Sequence, residues 1–297
     1  MKRITLLLVF AFAAAGFLAV PSGAQNLPSL EDFLSALPDS TVVPSPVPPL
    51  RARPGYLAAA AGLSGEKLFQ FLHTATEYPP PGTGTDYLKA KKYMFSIADN
   101  TGCEGGPGVT AFYSQVCVKG NSEHGEDYKE RGDANGDGLY DSDGMNAEHT
   151  WPQGFFNKRP PMKSDLHHIF PTFTLVNGMR GSEPFAEVSR ADYATLSGSK
   201  LGPEGFEPCD AVKGDVARAL LYFVVRYYNV NISDNMDYKD FWTSRIPMFL
   251  DWDKRDPADA AEKRRNDLIE SYQGNRNPFV DDASLAGKIG LKILQSH

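Results

Sequence analysis

Glu148 and His149 stand side by side in Asn146-Ala-Glu-His-Thr-Trp-Pro152. An answering stretch, Ser164-Asp-Leu-His-His-Ile-Phe-Pro171, leads into Val176-Asn-Gly-Met-Arg180. Together these hold a carboxylate, imidazoles, a carboxamide and a guanidinium. Such groups can hold one hard cation, activate one water and meet one anion, which is what phosphodiester hydrolysis asks of a protein. Mg²⁺ (or Mn²⁺) takes few protein oxygens and keeps waters, and Glu148 with Asn177 fits that sparse ligation. Neutral His149, with an ordinary pKa near about 6.5, is the candidate general base. On that value activity should fall in acid, and flat activity from about pH 5 to 8 would exclude His149 as the base. Its second ring nitrogen needs an orienting acceptor that the sequence does not reveal. Arg180 and Arg159 are the catalytic candidates for contact with phosphate oxygens, and Lys158 is a weaker one.

Positioning these groups constrains the backbone. Neighbours on a strand face opposite ways, so Glu148 and His149 share a site only at a strand end, and Pro152 supplies a stop. Leu166–Phe170 reads as a second strand closed by Pro171, and Thr172 as the N-cap of a short helix that carries Asn177 and ends at Arg180. His167 and His168 raise the alternative of zinc. A strand would send them to opposite faces, so one of them reads as structural. Asp165 reads as a cap or brace for a backbone amide.

The 297 residues suffice for a sizeable core, and the formal charge is −7. That acidity argues against a broad non-specific phosphate footprint but not against a small site where a metal supplies the positive charge. Asp133, Asn135, Asp137 and Asp141, with Gly138 at the sixth position, follow the register of a calcium loop. Gly144 replaces the usual twelfth-position Glu, so the rival reading is an acidic, Gly-rich turn. Three cysteines allow one intrachain bridge, and the short Gly-rich spacing favours Cys103–Cys117 over the two other pairings.

Residues 1–24 read as a secretory signal: basic Lys2 and Arg3, an apolar run and a small-residue cleavage site. A membrane anchor is the rival reading, but the run is short, so no stable membrane association is expected once it is removed. Residues 25–54 form a Pro-rich linker or propeptide. The folded domain covers 55–297 and opens at Tyr56. Helices are expected from Ser64 through His73, where His73 reads as a filler, and over Tyr87–Ile97. A strand is expected over Val109–Val118. Val212–Tyr228, Phe241–Trp252 and Ala258–Tyr272 read as helices, the last with Pro257 at its start. Asp215, Arg218 and Arg226 read as salt-bridge partners, and Arg276 as an anchor for the chain end.

The quoted motifs resemble the endonuclease I family of secreted bacterial nucleases. So do Lys213-Gly-Asp-Val-Ala-Arg-Ala219 with Tyr222, Leu250-Asp-Trp252, Asp256-Pro257, Arg265-Asn266 and Gln273-Gly-Asn-Arg-Asn-Pro-Phe279. The resemblance runs from about Tyr56 to the C-terminus. It implies an α+β domain with a ββα-metal nuclease core packed among several helices. It also implies Mg²⁺-dependent, sequence-non-specific cleavage of DNA, often RNA too, leaving 5′-phosphates. It carries metal ligation onto Glu148 and Asn177, the base onto His149, and phosphate contact onto an arginine. Some relatives carry an acid where this chain has Lys163, so no further metal carboxylate is expected there. The expectation is thus a secreted or periplasmic, monomeric endonuclease acting on DNA or RNA. The rivals are an RNA-preferring extracellular ribonuclease and a non-catalytic calcium-binding module.

Overall fold

Helix α1 (Gly65–Thr76) buries Leu68, Phe69, Leu72 and Thr76 along one stripe, the 3.6-residue pattern of a helix with a core face. The computed structural model describes residues 56–77, 86–139 and 143–297. The signal and Pro-rich segment expected over 1–54, and Asp141 of the calcium register, lie outside the described residues. Asp86 caps α2 (Tyr87–Tyr93) through Leu88 and Lys89 N–H, and a π turn (Met94–Ala98) continues it, so the expected helix stands.

The alternating stretch from Val109 to Val118 is a hairpin, not one strand. β1 (Gly108–Thr110) pairs antiparallel with β2 (Cys117–Lys119), because Ala111 and Val116 close a turn in which Gln115 takes a positive φ of 57°. A Cys103–Cys117 disulfide ties this hairpin to the preceding loop, and Cys209 is free and buried.

β3 (Met145–His149) pairs antiparallel with β4 (Ile169–Phe173), Glu148 facing Phe170 and His149 facing Ile169. Two expectations fail here. Leu166–His168 is a 3₁₀ turn instead of a strand, because the Asp165 side chain accepts from His167 N–H and closes it. Pro171 does not end the strand, since a two-stranded ladder has open edges where a missing N–H is tolerated. Its carbonyl accepts from Phe112 N at 2.8 Å, and the Phe112 ring stacks on Phe170 at 4.0 Å, which docks the hairpin loop on β4. Thr172 therefore sits inside the strand, and Phe173 occupies the N-cap of α3 (Thr174–Arg180). The order β3, β4, α3 is the expected ββα unit within an α+β fold.

A small three-stranded sheet follows, β5 (Tyr193–Ala194), β6 (Lys200–Gly202) and β7 (Gly205–Glu207). α4 (Lys213–Tyr227) is the spine of the core: every residue except Asp215 is buried. Gly214 is required where α4 meets the loop at Asp256, since a Cβ there would come within 1.9 Å of the Asp256 carbonyl oxygen. Arg218 on the same helix joins Asp215, Asp253 and Glu262 at 2.6–2.9 Å, the expected structural role. The segment expected as one helix from Phe241 breaks, giving a π turn (Lys239–Thr243) and then α5 (Ile246–Arg255). α6 (Ala260–Gln273) is capped by Asp259 accepting from Glu262 N–H, so Pro257 precedes the cap instead of opening the helix. Short helices α7 (Pro278–Asp281), α8 (Leu285–Ile289) and α9 (Leu291–Ser296) close the chain. Arg276 anchors this end through Asp267, Glu270 and Asp281. No helix among the described residues is long and apolar enough to cross a membrane.

Candidate active site

A cleft of about 430 Å³ opens over the end of β3 and is lined by Glu148, His149, Asn177 and Arg180. Trp151 fixes the strand end from behind. Its ring stacks on Phe223 of α4 at 5.1 Å and its Nε1 donates to the Ile232 carbonyl at 2.7 Å. α3 brings Asn177 across, and its Nδ2 donates to Asn146 Oδ1 at 2.6 Å. That bond commits the amide nitrogen and leaves the carboxamide oxygen as the ligating atom. So Glu148, His149 and Asn177 share one cleft, as their spacing predicts.

His149 is 4% exposed, and its Nε2 lies 3.0 Å from the Lys163 carbonyl. A carbonyl only accepts, so Nε2 carries the proton and Nδ1 is the basic nitrogen. The orienting acceptor that the sequence hid is therefore main chain. Burial, and then the neighbouring His168, push the His149 pKa down to about 3. Burial thus extends the neutral form of the ring further into acid than an ordinary imidazole.

Glu148 is 2% exposed. Tyr113 from the hairpin loop donates its hydroxyl to Oε1 at 2.7 Å, and Arg180 Nε lies 3.4 Å from the same oxygen. Burial raises the Glu148 pKa, against the pull of Arg180 and Tyr113. A buried carboxylate whose ionisation is opposed, opening on a cleft beside a carboxamide oxygen, is a site that a bound cation would stabilise. The donor set fits Mg²⁺ in this respect.

Of the two arginines, Arg180 lines the cleft and Arg159 does not. Arg180 is fully buried, donates to the His149, Thr150 and Gly181 carbonyls, and packs 4.6 Å from the Phe185 ring. Its two Nη atoms brace the strand end, while Nε has only Glu148 beside it. Arg159 donates to the Phe156 and Asn231 carbonyls and does not line the cleft. His167 and His168 are both structural, donating from Nε2 to the Asn275 and Met162 carbonyls at 2.9 and 2.6 Å. Burial lowers both to about 4.

Behind the turn, Asp165 gathers five donors. Oδ2 accepts from Tyr222, Tyr227 and Arg226 at 2.7–2.9 Å, and Oδ1 from Gln273 Nε2 at 2.7 Å and His167 N at 3.2 Å. Burial opposes its ionisation, but Arg226 and the donors around it win and hold the carboxyl well below the usual range. Sequence reasoning missed Tyr113 altogether, because nothing in an alternating β-rich stretch marks one tyrosine out.

In the calcium-like loop, Asp133 Oδ2 accepts from Gly138 N–H and Asn135 Oδ1 from Asp137 N–H, while Asp137 Oδ2 accepts from Asn135 Nδ2 and Tyr193 OH. Among the described residues no group of three or more His, Cys, Asp or Glu stands together in a way that could hold a metal ion.

The family model described as Endonuclease I matches residues 87–284. An extracellular ribonuclease of Bacillus subtilis (strain 168) is 29% identical over 95% of this chain and 96% of its own length. The match to an extracellular ribonuclease of Bacillus amyloliquefaciens is 36% identical, over 48% of this chain and 53% of that relative. A periplasmic deoxyribonuclease of Aeromonas hydrophila is 29% identical over 42% of this chain and 49% of its own. Two of these three matches thus span about half of the relative.

Proposed function

This chain belongs to the endonuclease I family, and from that premise we propose that it is an exported, metal-dependent endonuclease. It hydrolyses phosphodiester bonds of DNA, with RNA as a further substrate, without sequence specificity and leaves 5′-phosphates. The observation that carries the reading is the buried, neutral His149, its tautomer set by a main-chain carbonyl, sharing a cleft with Glu148 and Asn177. Nδ1 of His149 takes the proton of the attacking water. Glu148 and Asn177 would hold the Mg²⁺, which when bound would supply positive charge for the phosphate and leaving oxygens. Arg180 and Tyr113 position Glu148. Residues 1–24 act as the leader, 25–54 as linker or propeptide and 55–297 as the nuclease domain, working as a monomer. Export agrees with relatives named extracellular or periplasmic.

RNA preference is the second reading, favoured because the relative aligned over nearly its whole length is named a ribonuclease. One assay separates them: cleavage of supercoiled plasmid and of single-stranded RNA by wild type and His149→Ala, with Mg²⁺ and then with EDTA. The variant should lose about 10²- to 10⁴-fold in rate while remaining folded. Relative rates on the two substrates rank DNA against RNA. A folded wild type that cuts neither substrate with Mg²⁺ or Mn²⁺ would sink the enzyme reading.

A further inference from the structure

Tyr87, at the start of α2, holds its ring 5.7 Å from that of His149. Two ammonium groups gather on that one ring: Lys91 Nζ lies 5.0 Å and Lys163 Nζ 4.7 Å from its centroid. They come from separate parts of the chain, Lys91 one turn along α2 and Lys163 from the turn whose carbonyl orients the base. The aromatic ring stabilises each ammonium only modestly. Nearby lysines on α2 are neutralised, Lys89 by Asp86 at 3.6 Å and Lys92 by Glu123 at 3.0 Å. Among the described residues no carboxylate lies within 4.0 Å of Lys91 or Lys163 to form such a pair. In a chain with a formal charge of −7, two uncompensated cations on one platform beside the base make a local anion site.

We propose that Lys91 and Lys163, presented on Tyr87, seat a backbone phosphate of the polynucleotide strand adjacent to the phosphodiester being cut. The inference rests on the nuclease reading above and adds a substrate subsite to it. Lysine ammonium groups meet phosphate as point charges, so the seat reads no bases; it fixes the register of the strand against His149.

The test uses Lys91→Gln, Lys163→Gln and the double variant of the full chain. Lys163→Gln keeps the main-chain carbonyl that His149 needs. Two substrates are compared: a labelled single-stranded oligonucleotide, and a mononucleoside p-nitrophenyl phosphodiester that has no neighbouring phosphate. The double variant should raise KM for the oligonucleotide about tenfold, and Lys91→Gln, which touches nothing that orients His149, should raise it in part while leaving turnover of the small ester unchanged. The slope of log affinity against log salt should shrink by about 0.7 for each lysine removed. An unchanged oligonucleotide KM and salt slope, or an equal loss on both substrates, would overturn the seat. Anisotropy of the labelled oligonucleotide on a His149→Ala background keeps the test independent of catalysis. If the wild type cuts neither substrate the nuclease reading fails by itself, whereas the salt slope of binding still reports on the two lysines.

Discussion

Glu148 and Asp165 are both fully sequestered carboxylates, and the fold treats them in opposite ways. Asp165 collects hydrogen bonds from three side chains of α4, a glutamine from the end of α6 and a main-chain amide, and its acidity is strengthened. Glu148 receives one tyrosine hydroxyl, the His149 main-chain amide and one arginine at the longer distance of 3.4 Å, and burial outweighs them, so its acidity is weakened. One carboxylate is saturated and braces; the other is left wanting a partner and faces a cleft. Undercompensated charge in a buried place marks a site built for something that arrives later.

The contrast breaks most visibly at Asp165. Asp165→Asn leaves Arg226 buried without its counter-charge and should cost about 3–5 kcal/mol in chemical denaturation. A cost under about 1 kcal/mol would mean that the donors around it do not form a brace.

The next effect is the pH dependence of stability. His149, His167 and His168 are depressed to about 3, 4 and 4 by burial, while the unfolded chain protonates near about 6.5. Between those values the unfolded state binds more protons. Stability is therefore full above about pH 6.5 and falls as pH drops toward 4, by several kcal/mol at most. Asp165 runs the same way at lower pH, since its stabilisation is lost as the carboxyl protonates. Glu148 has the opposite sign, and its raised value favours the fold in acid. Asp99, Asp215, Asp253 and Glu262 are raised likewise, so melting temperatures from pH 8 down to 4 are compared between wild type and His168→Gln, and identical acid slopes would contradict the burial of a neutral imidazole there.

The smallest effect sharpens the comparison from the cleft side. Glu148→Gln removes a charge that burial opposes while keeping a side chain able to bond Tyr113. Arg180 loses a 3.4 Å ion pair but keeps its three carbonyl acceptors, so the change should cost less than Asp165→Asn while abolishing cleavage. A large destabilisation would make Glu148 a second brace.

Much of this was legible in the residues. Glu148, His149 and Asn177 converge as their spacing predicts, and so does the helical reading of Val212–Tyr228, because a long run of apolar residues at helical spacing admits few alternatives. What escaped was set by partners distant in sequence. Whether Leu166–His168 becomes strand or turn depends on Asp165 accepting from His167. Whether Arg180 meets substrate or main chain depends on the carbonyls of 149 and 150. Tyr113 reaches Glu148 only because the Cys103–Cys117 hairpin docks on β4. The depressed His149 follows from burial, which no spacing rule encodes.

The bracing of Asp165 has a consequence for biosynthesis. Its partners Gln273 and, through Tyr222, Asn275 follow it by more than a hundred residues. A chain emerging N-terminus first therefore holds the turn that carries the Lys163 carbonyl unsupported until α6 and the segment after it have been made. The carbonyl that orients the His149 ring is thus set by the closing of a long loop and not by local structure.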